Sequence, residues 1–308
     1  MTSAAKAGYV GKPLIAAVNR CATQNQDPKP HGWPTVSREP QCWSILNRGA
    51  LVLILGVALL SIFARAVNVA GAADVASGGA APVLVELFTS EGCSSCPPAD
   101  SLLGKLDGLQ PVAGAQAIVL SEHVDYWNHD GWKDAYSSSF FTDRQKDYVQ
   151  RLGAKEAYTP QMIVDGVAQL NGSNGPAVLA AVEKARGDEK VPVRISGVGL
   201  DGRTLKLHVV VEGLPQDSKA KKADVMVAVA LNHAESHVSA GENKGRDIQH
   251  VAVAESITKV GRVERGKKFD EGVAVKLKGA EGLGDLRVIV FVQAGDGGAV
   301  VGAALAGK

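Results

Sequence analysis

The chain has 308 residues, 45% of them hydrophobic and 21% charged, and a formal net charge of +1. That length is roughly two domains' worth at ~150 residues each, and the composition supports packed cores rather than a disordered polymer. A near-neutral balance excludes a strongly basic nucleic-acid binder and an acidic tail protein as first readings.

Residues 1–48 are unlike the rest and read as an amino-terminal extension. They hold Pro13, Pro28, Pro30, Pro34 and Pro40 and no sustained hydrophobic period. Six basic residues (Lys6, Lys12, Arg20, Lys29, Arg38, Arg48) face only Asp27 and Glu39. An uncharged apolar run follows from Gly49 to Ala64, flanked by Arg48 and Arg65. It is short for a membrane span of ~20 residues and slightly long for a signal core of ~7–15. Ala70-Gly71-Ala72 matches an A-x-A cleavage site. Residues 49–72 therefore read as an export signal cleaved near Ala72, with an uncleaved anchor or a buried helix as alternatives. Basic residues ahead of the run fit the positive-inside rule. No methionine lies between Met1 and Met162, so residues 1–48 are either a cytoplasmic tail or an untranslated stretch. The expected location is periplasmic or secreted, or anchored to the inner membrane by residues 49–64. Residues 73–82, rich in Ala, Gly and Ser, read as a linker.

From residue 83 to 187 strands and helices alternate. Val83–Phe88 reads as a buried strand. Asp100–Leu109 has Leu102, Leu103 and Leu106 at helical spacing. Ala117–Leu120 opens a second strand toward Val124, and Ser139–Leu152 sets Phe141, Tyr148 and Leu152 on one helical face. Gln161–Val164 reads as a strand, Asp165-Gly166 as a turn, and Val167–Leu170 as its hairpin partner. Pro176–Ala185 reads as a helix capped by Asn174. The order is β-α-β-α-β-β-α. From residue 188 to 308 only strands are expected: Val191–Val198, Leu205–Val211, Asp224–Leu231, His250–Ile257, Val273–Leu277 and Arg287–Gln293. Such a run of strands suggests a small β-sandwich.

Cys93 and Cys96 form Cys-Ser-Ser-Cys between the first strand and the first helix. A helix amino terminus stabilises a thiolate, the species that attacks disulfides. Cys93 is the expected nucleophile and Cys96, further into the helix, the more buried resolving thiol. Pro97-Pro98 are tolerated in a first turn. Three readings stay open: a redox pair, a structural disulfide, or a soft-metal site in which His123 and Met162 add ligands. Downstream, Thr159-Pro160 precedes a strand, where proline removes a ladder donor. A cis bond or an ordinary trans proline would each account for it, and the element order favours cis. A substrate segment could pair with the free backbone there.

On these features residues 83–187 resemble a thioredoxin-fold domain. More narrowly, Glu86–Asp100 (ELFTSEGCSSCPPAD), His123–Asn128 (HVDYWN) and Gly131–Asp134 (GWKD) resemble a bacterial secreted family, the thioredoxin-like domain-of-unknown-function family numbered 1223. The resemblance implies an α/β thioredoxin-like domain, and the strand run after it adds the small all-β sandwich domain. It implies little about activity, because that family's function is unassigned. Ser94-Ser95 stands where thioredoxin has Gly-Pro, which leaves the direction of any redox reaction open.

The candidate site is thus Cys93, Cys96 and Pro160, with Pro160 shaping a substrate groove. His123, Asp125, Tyr126, Trp127 and Thr159 form a candidate wall, His123 or Asp125 moving protons. The alternative for that stretch is a packed loop anchored by Trp127 and Trp132. The loop Gly241–Arg246 reads as a long hairpin turn, or a docking loop, and His233, His237 and His250 as surface histidines. Thiol–disulfide exchange with a protein or small-thiol substrate is the leading function. A copper-type site on Cys93 and Cys96 and a non-catalytic binding module are the alternatives. No cofactor, no metal outside that alternative and no nucleic acid is expected, and membrane contact only through the apolar segment.

Overall fold

Strand β1 (Ala81–Thr89) lies inside a sheet, and every residue from Val83 to Thr89 is buried. The computed structural model describes residues 79–129, 131–279, 282–295 and 297–307. The expectations for residues 1–48 and 49–72 fall outside them. Among the described residues no helix is long and apolar enough to cross a membrane.

After β1 come α1 (Pro97–Leu109), β2 (Ala115–His123), α2 (Ser139–Leu152), β3 (Gln161–Val164), β4 (Ala168–Asn171) and α3 (Gly175–Ala185). Local chemistry sets the ends. Ser138 is extended and its hydroxyl accepts from the Phe140 amide, while Gly153 closes α2 at φ 69°. Asn174 accepts from Ala177 N ahead of Pro176 and so caps α3. Asp165 and Gly166, at φ 46° and 67°, make the left-handed turn between β3 and β4. A side chain on Gly166 would lie 2.6 Å from the Gly298 carbonyl oxygen, so the backbone there needs glycine.

The strands that follow are β5 (Val193–Asp201), β6 (Thr204–Val211), β7 (Lys222–His237), β8 (Asp247–Glu264), β9 (Phe269–Lys276), β10 (Leu286–Ala294) and β11 (Val300–Leu305). They do not form a small sandwich of their own. One mixed eight-stranded sheet runs β11-β10-β7-β8-β2-β1-β3-β4, and a second sheet has the order β5-β6-β9. The expected α/β thioredoxin-like domain followed by a small all-β sandwich is therefore corrected to a mostly β architecture with three α-helices among the described residues.

The physical reason lies in β7 and β10. Ala223, Val225, Val227 and Val229 on one face of β7, with Leu286, Val288, Val290 and Val292 of β10, pack on β6 and β9. The other faces, through Ala228, Ala230, Ile289 and Phe291, pack with Leu84, Ile118, Leu120 and Phe141 from β1, β2 and α2. Strands apolar at both parities are buried on both sides, as in the middle of a layered fold. The remaining face of β1 and β2 is covered by α1 and α3 through Leu103, Leu106, Val178 and Val182.

The seam between the two parts is narrow. β2 and β8 pair in parallel at Ser121 and Val253 alone. Side chains reinforce it: Arg287 of β10 makes two bonds, 2.7 and 2.8 Å, to the Asp107 carboxylate of α1. The Asp165 carbonyl accepts from Val300 N at 2.8 Å. This seam carries the first residues of β8 up against α1, where Val251 packs.

Candidate functional site

The chain leaves β1 at Thr89 and turns through Ser90–Cys96 into α1, with Cys96 as the capping residue. Cys93 and Cys96 are disulfide-bonded, their Cα atoms 5.4 Å apart. The loop is drawn tight by Cys93 N donating to Ser90 O and Cys96 N to Cys93 O, at 3.1 and 3.2 Å. Ala99 N and Asp100 N both donate to the Cys96 carbonyl, at 2.8 and 3.1 Å. Ser94 and Ser95 are exposed, but Cys93 and Cys96 are 0% and 1% exposed. The expected contrast in burial between the two thiols is absent.

The β7–β8 tip packs on this loop. Asn243 is fully buried, and its Nδ2 donates to Glu91 O at 2.8 Å and to Cys93 O at 2.9 Å. The Glu242 carboxylate accepts from Ser94 N at 3.1 Å. A turn read as a plain hairpin thus holds the backbone of the Cys-Ser-Ser-Cys loop from 150 residues away.

The Thr159–Pro160 peptide is cis. Trp127 Nε1 donates to Thr159 Oγ1 at 2.7 Å. A Cβ on Gly172 would lie 3.1 Å from Ala99 Cβ and 3.2 Å from Pro160 Cβ, which puts Pro160 beside the first turn of α1. Ser173 Oγ reaches the Ser95 carbonyl at 3.5 Å.

The wall residues divide. Asp125 accepts from Thr142 Oγ1 at 2.6 Å, which fastens the loop to α2, and Tyr126 Oη donates to Gln145 Oε1 at 3.1 Å. Trp127 borders the Thr159–Pro160 loop, whereas His123 turns inward and is fully buried. Its Nδ1 lies 2.7 Å from Asp134 Oδ2. Burial works against the His123 cation, yet the Asp134 carboxylate prevails and holds the imidazole above its ordinary range. Burial also works against ionised Asp134. The His123 cation and the amides of Glu91 and Tyr136 outweigh it and hold that carboxyl below the usual range.

Around His123 lie groups that the sequence did not assign to the site. His250, expected at the surface, is 2% exposed. Its ring centroid is 4.7 Å from that of His123. His250 Nε2 faces Glu91 Oε1 at 3.8 Å, and Nδ1 faces Asp100 Oδ1 at 3.6 Å. Trp132 Nε1 donates to the other Glu91 oxygen at 2.9 Å, and Thr89 Oγ1 to the other Asp100 oxygen at 3.3 Å. Those two facing carboxylate oxygens, both His250 nitrogens and His123 Nε2 are buried without a hydrogen-bond partner. His250 carried a signal in its alternation: Ile248, His250 and Ala252 share one parity of β8, and all are buried. Glu91 and Asp100 carried none beyond their closeness to the cysteines. His233 and His237 are exposed. Among the described residues no group of three or more His, Cys, Asp or Glu is arranged to hold a metal ion.

A groove of about 670 Å³ opens between α1 and the start of β8, lined in part by Asp100, Gly104, Arg246 and Gln249. Asp100 therefore belongs both to the buried cluster and to a solvent-open wall.

Residues 84–293 match the family model described as a protein of unknown function (DUF1223), and the chain belongs to that family. Protein AGR_C_4864 from Agrobacterium tumefaciens has a similar solved structure, at 29% identity and a TM-score of 0.54, covering 72% of this chain and 92% of that chain. The mixed architecture described above is thus shared along nearly all of that protein. HBP35 of Porphyromonas gingivalis is 15% identical with a TM-score of 0.55, covering 74% of this chain and 75% of that one, a likeness of fold alone. No curated protein matches the chain.

Proposed function

We propose that this member of the family exchanges thiols and disulfides at Cys93–Cys96, and does so outside the cytoplasm. The observation that carries the reading is the disulfide itself, closed across the first turn of α1 at the end of β1. Opened, it would leave a thiol at a helix amino terminus, where the partial positive charge of free amides favours the thiolate. Ser94 and Ser95, exposed beside the two sulfurs, mark the side from which a thiol partner would approach. Because both sulfurs are buried, the partner reaches them after the Asn243 tip loosens. Export supports the same reading, since oxidising compartments keep such a pair closed. It rests on the apolar run at 49–64 and the Ala70-Gly71-Ala72 site.

Trapping tests it. In Cys96→Ser the first attack remains while intramolecular release is gone, so mixed disulfides on Cys93 accumulate with a thiol partner. Cys93→Ser traps little. Mass spectrometry under non-reducing conditions separates the two. Equal behaviour of both variants would sink the reading. A reporter fused after Leu109 that is active only in the cytoplasm would remove the export half.

A further inference from the structure

We propose that Glu91, His250 and Asp100 together hold a proton that passes to the sulfur of Cys96 when the disulfide opens. The inference rests on the exchange reading and assigns that site its source of protons.

The geometry carries it. Each ring nitrogen of His250 faces one carboxylate oxygen, Glu91 Oε1 at 3.8 Å and Asp100 Oδ1 at 3.6 Å. A neutral imidazole has one N–H and one lone pair. Set between two ionised carboxylates, it would aim its lone pair at one of them. One added proton resolves the conflict, either as an imidazolium that donates on both sides or as a carboxylic acid that donates to the bare nitrogen. All three side chains are buried, and these four atoms have no hydrogen-bond partner elsewhere in the protein.

The surroundings leave the proton there. His123 is the other cation within reach, and it is paired with Asp134 at 2.7 Å. Asp134 is in turn held by the Glu91 amide at 2.9 Å and by Tyr136 N at 2.9 Å. The Tyr136 ring borders both imidazoles, at 5.5 and 6.3 Å between centroids, and brings no charge. The groups facing His250 are therefore Glu91 from the loop after β1, Asp100 from α1, and His123 from β2.

The store brackets the disulfide. Glu91 stands two residues before Cys93, and the Asp100 amide is bonded to the Cys96 carbonyl. An incoming thiolate attacks Cys93 Sγ and forms a new S–S bond there. The Cys93–Cys96 bond breaks and its electron pair goes to Cys96 Sγ. At 1% exposure a thiolate at Cys96 is poorly solvated, and leaving it so is costly. The stored proton neutralises it to a thiol, and the store becomes a neutral imidazole between two carboxylates. Asp100, on the groove wall, takes the replacement proton from solvent. A second thiolate then attacks the partner's sulfur and forms a new S–S bond with it; the bond to Cys93 breaks, and its electron pair goes to Cys93 Sγ, which takes a proton from solvent while the tip is open.

The test is reduction of the oxidised protein by dithiothreitol from about pH 5 to about pH 9, a range that spans histidine titration. Each rate is divided by the concentration of dithiothreitol thiolate. In the wild type the normalised rate is highest in acid and falls toward alkaline pH. His250→Gln loses the falling arm and is slower in acid by ~100-fold, the low end for a positioned acid. Asp100→Asn, closer in shape, loses the same arm and serves if His250→Gln does not fold, circular dichroism deciding which variants are compared. Parallel profiles in the wild type and a folded variant overturn the proton store and leave the exchange reading standing. A wild-type disulfide that resists dithiothreitol at every pH overturns both.

Discussion

Glu122 and Glu86 show how burial can set one carboxyl against another. Both are fully buried on neighbouring strands, and one guanidinium serves the pair. Arg144 binds Glu86 through two nitrogens, with Tyr148 Oη donating to Glu86 Oε2 at 2.6 Å. Glu122 is left with an Arg144 nitrogen at 3.5 Å and no hydrogen bond on either oxygen. Burial first, then the Glu86 carboxylate, hold the Glu122 carboxyl well above its ordinary range despite Arg144. The sign follows from linkage. A raised carboxyl binds its proton more tightly in the folded state, so its contribution is complete below the usual glutamate range and is lost as pH rises through the raised value. Glu122→Gln mimics the protonated form and lacks that loss. Denaturant melts at successive pH values should show the variant gaining on the wild type as pH rises above the usual glutamate range. Curves that stay parallel would mean Glu122 is ionised in the fold. None of this was legible in the sequence. Glu86 and Glu122 stand in runs that read simply as strands, and only pairing β1 beside β2 makes them neighbours.

Among the elements, the β7–β8 tip is the piece whose role depends most on what it touches. Its sequence, Gly241–Arg246, is that of an exposed turn, with Gly241 and Gly245 at φ 72° and 81°. Asn243 is the exception, fully buried with both amide hydrogens on the carbonyls of Glu91 and Cys93. Asn243→Ala orphans those two carbonyls, at about 1–3 kcal/mol for a buried group left unpaired. Dithiothreitol should then reduce Cys93–Cys96 ~10-fold faster, because the cost falls on the closed form of the tip. Global stability from a denaturant melt is measured alongside. Acceleration no greater than that loss of stability predicts would show that the tip does not govern access. The helices and the first hairpin behave differently. α2 and β3 begin and end where the helical period and the Asp165-Gly166 turn predict. Strand β11, with alanines and a glycine among two valines and a leucine, offered too little signal and was missed.

At the scale of the whole described structure, strands from both halves of the chain stabilise one another through a shared core. Phe291 of β10 is fully buried in the cluster that also holds Leu84, Ile118 and Phe141. Phe291→Ala should cost ~3–5 kcal/mol, as large-to-small changes in a packed core do. Hydrogen exchange should quicken together at Val83–Phe88 and Val288–Val292. Unchanged protection of the β1 amides would show two independently stable parts after all. The sequence by itself determined the local features: the strand–helix order of residues 83–187, the span of α2, the Asn174 cap of α3, and the Cys-Ser-Ser-Cys loop before a helix. Each of these depends on residues a few positions apart, within reach of capping, turn and period rules. Only the tertiary structure decided that β8 joins β2, that His250 enters between Glu91 and Asp100, and that Asn243 binds the Cys93 carbonyl. Those contacts span some 150 residues, and no spacing along the chain encodes them. They follow from β7 and β10 being apolar on both faces, which forces each strand to find cover on two sides.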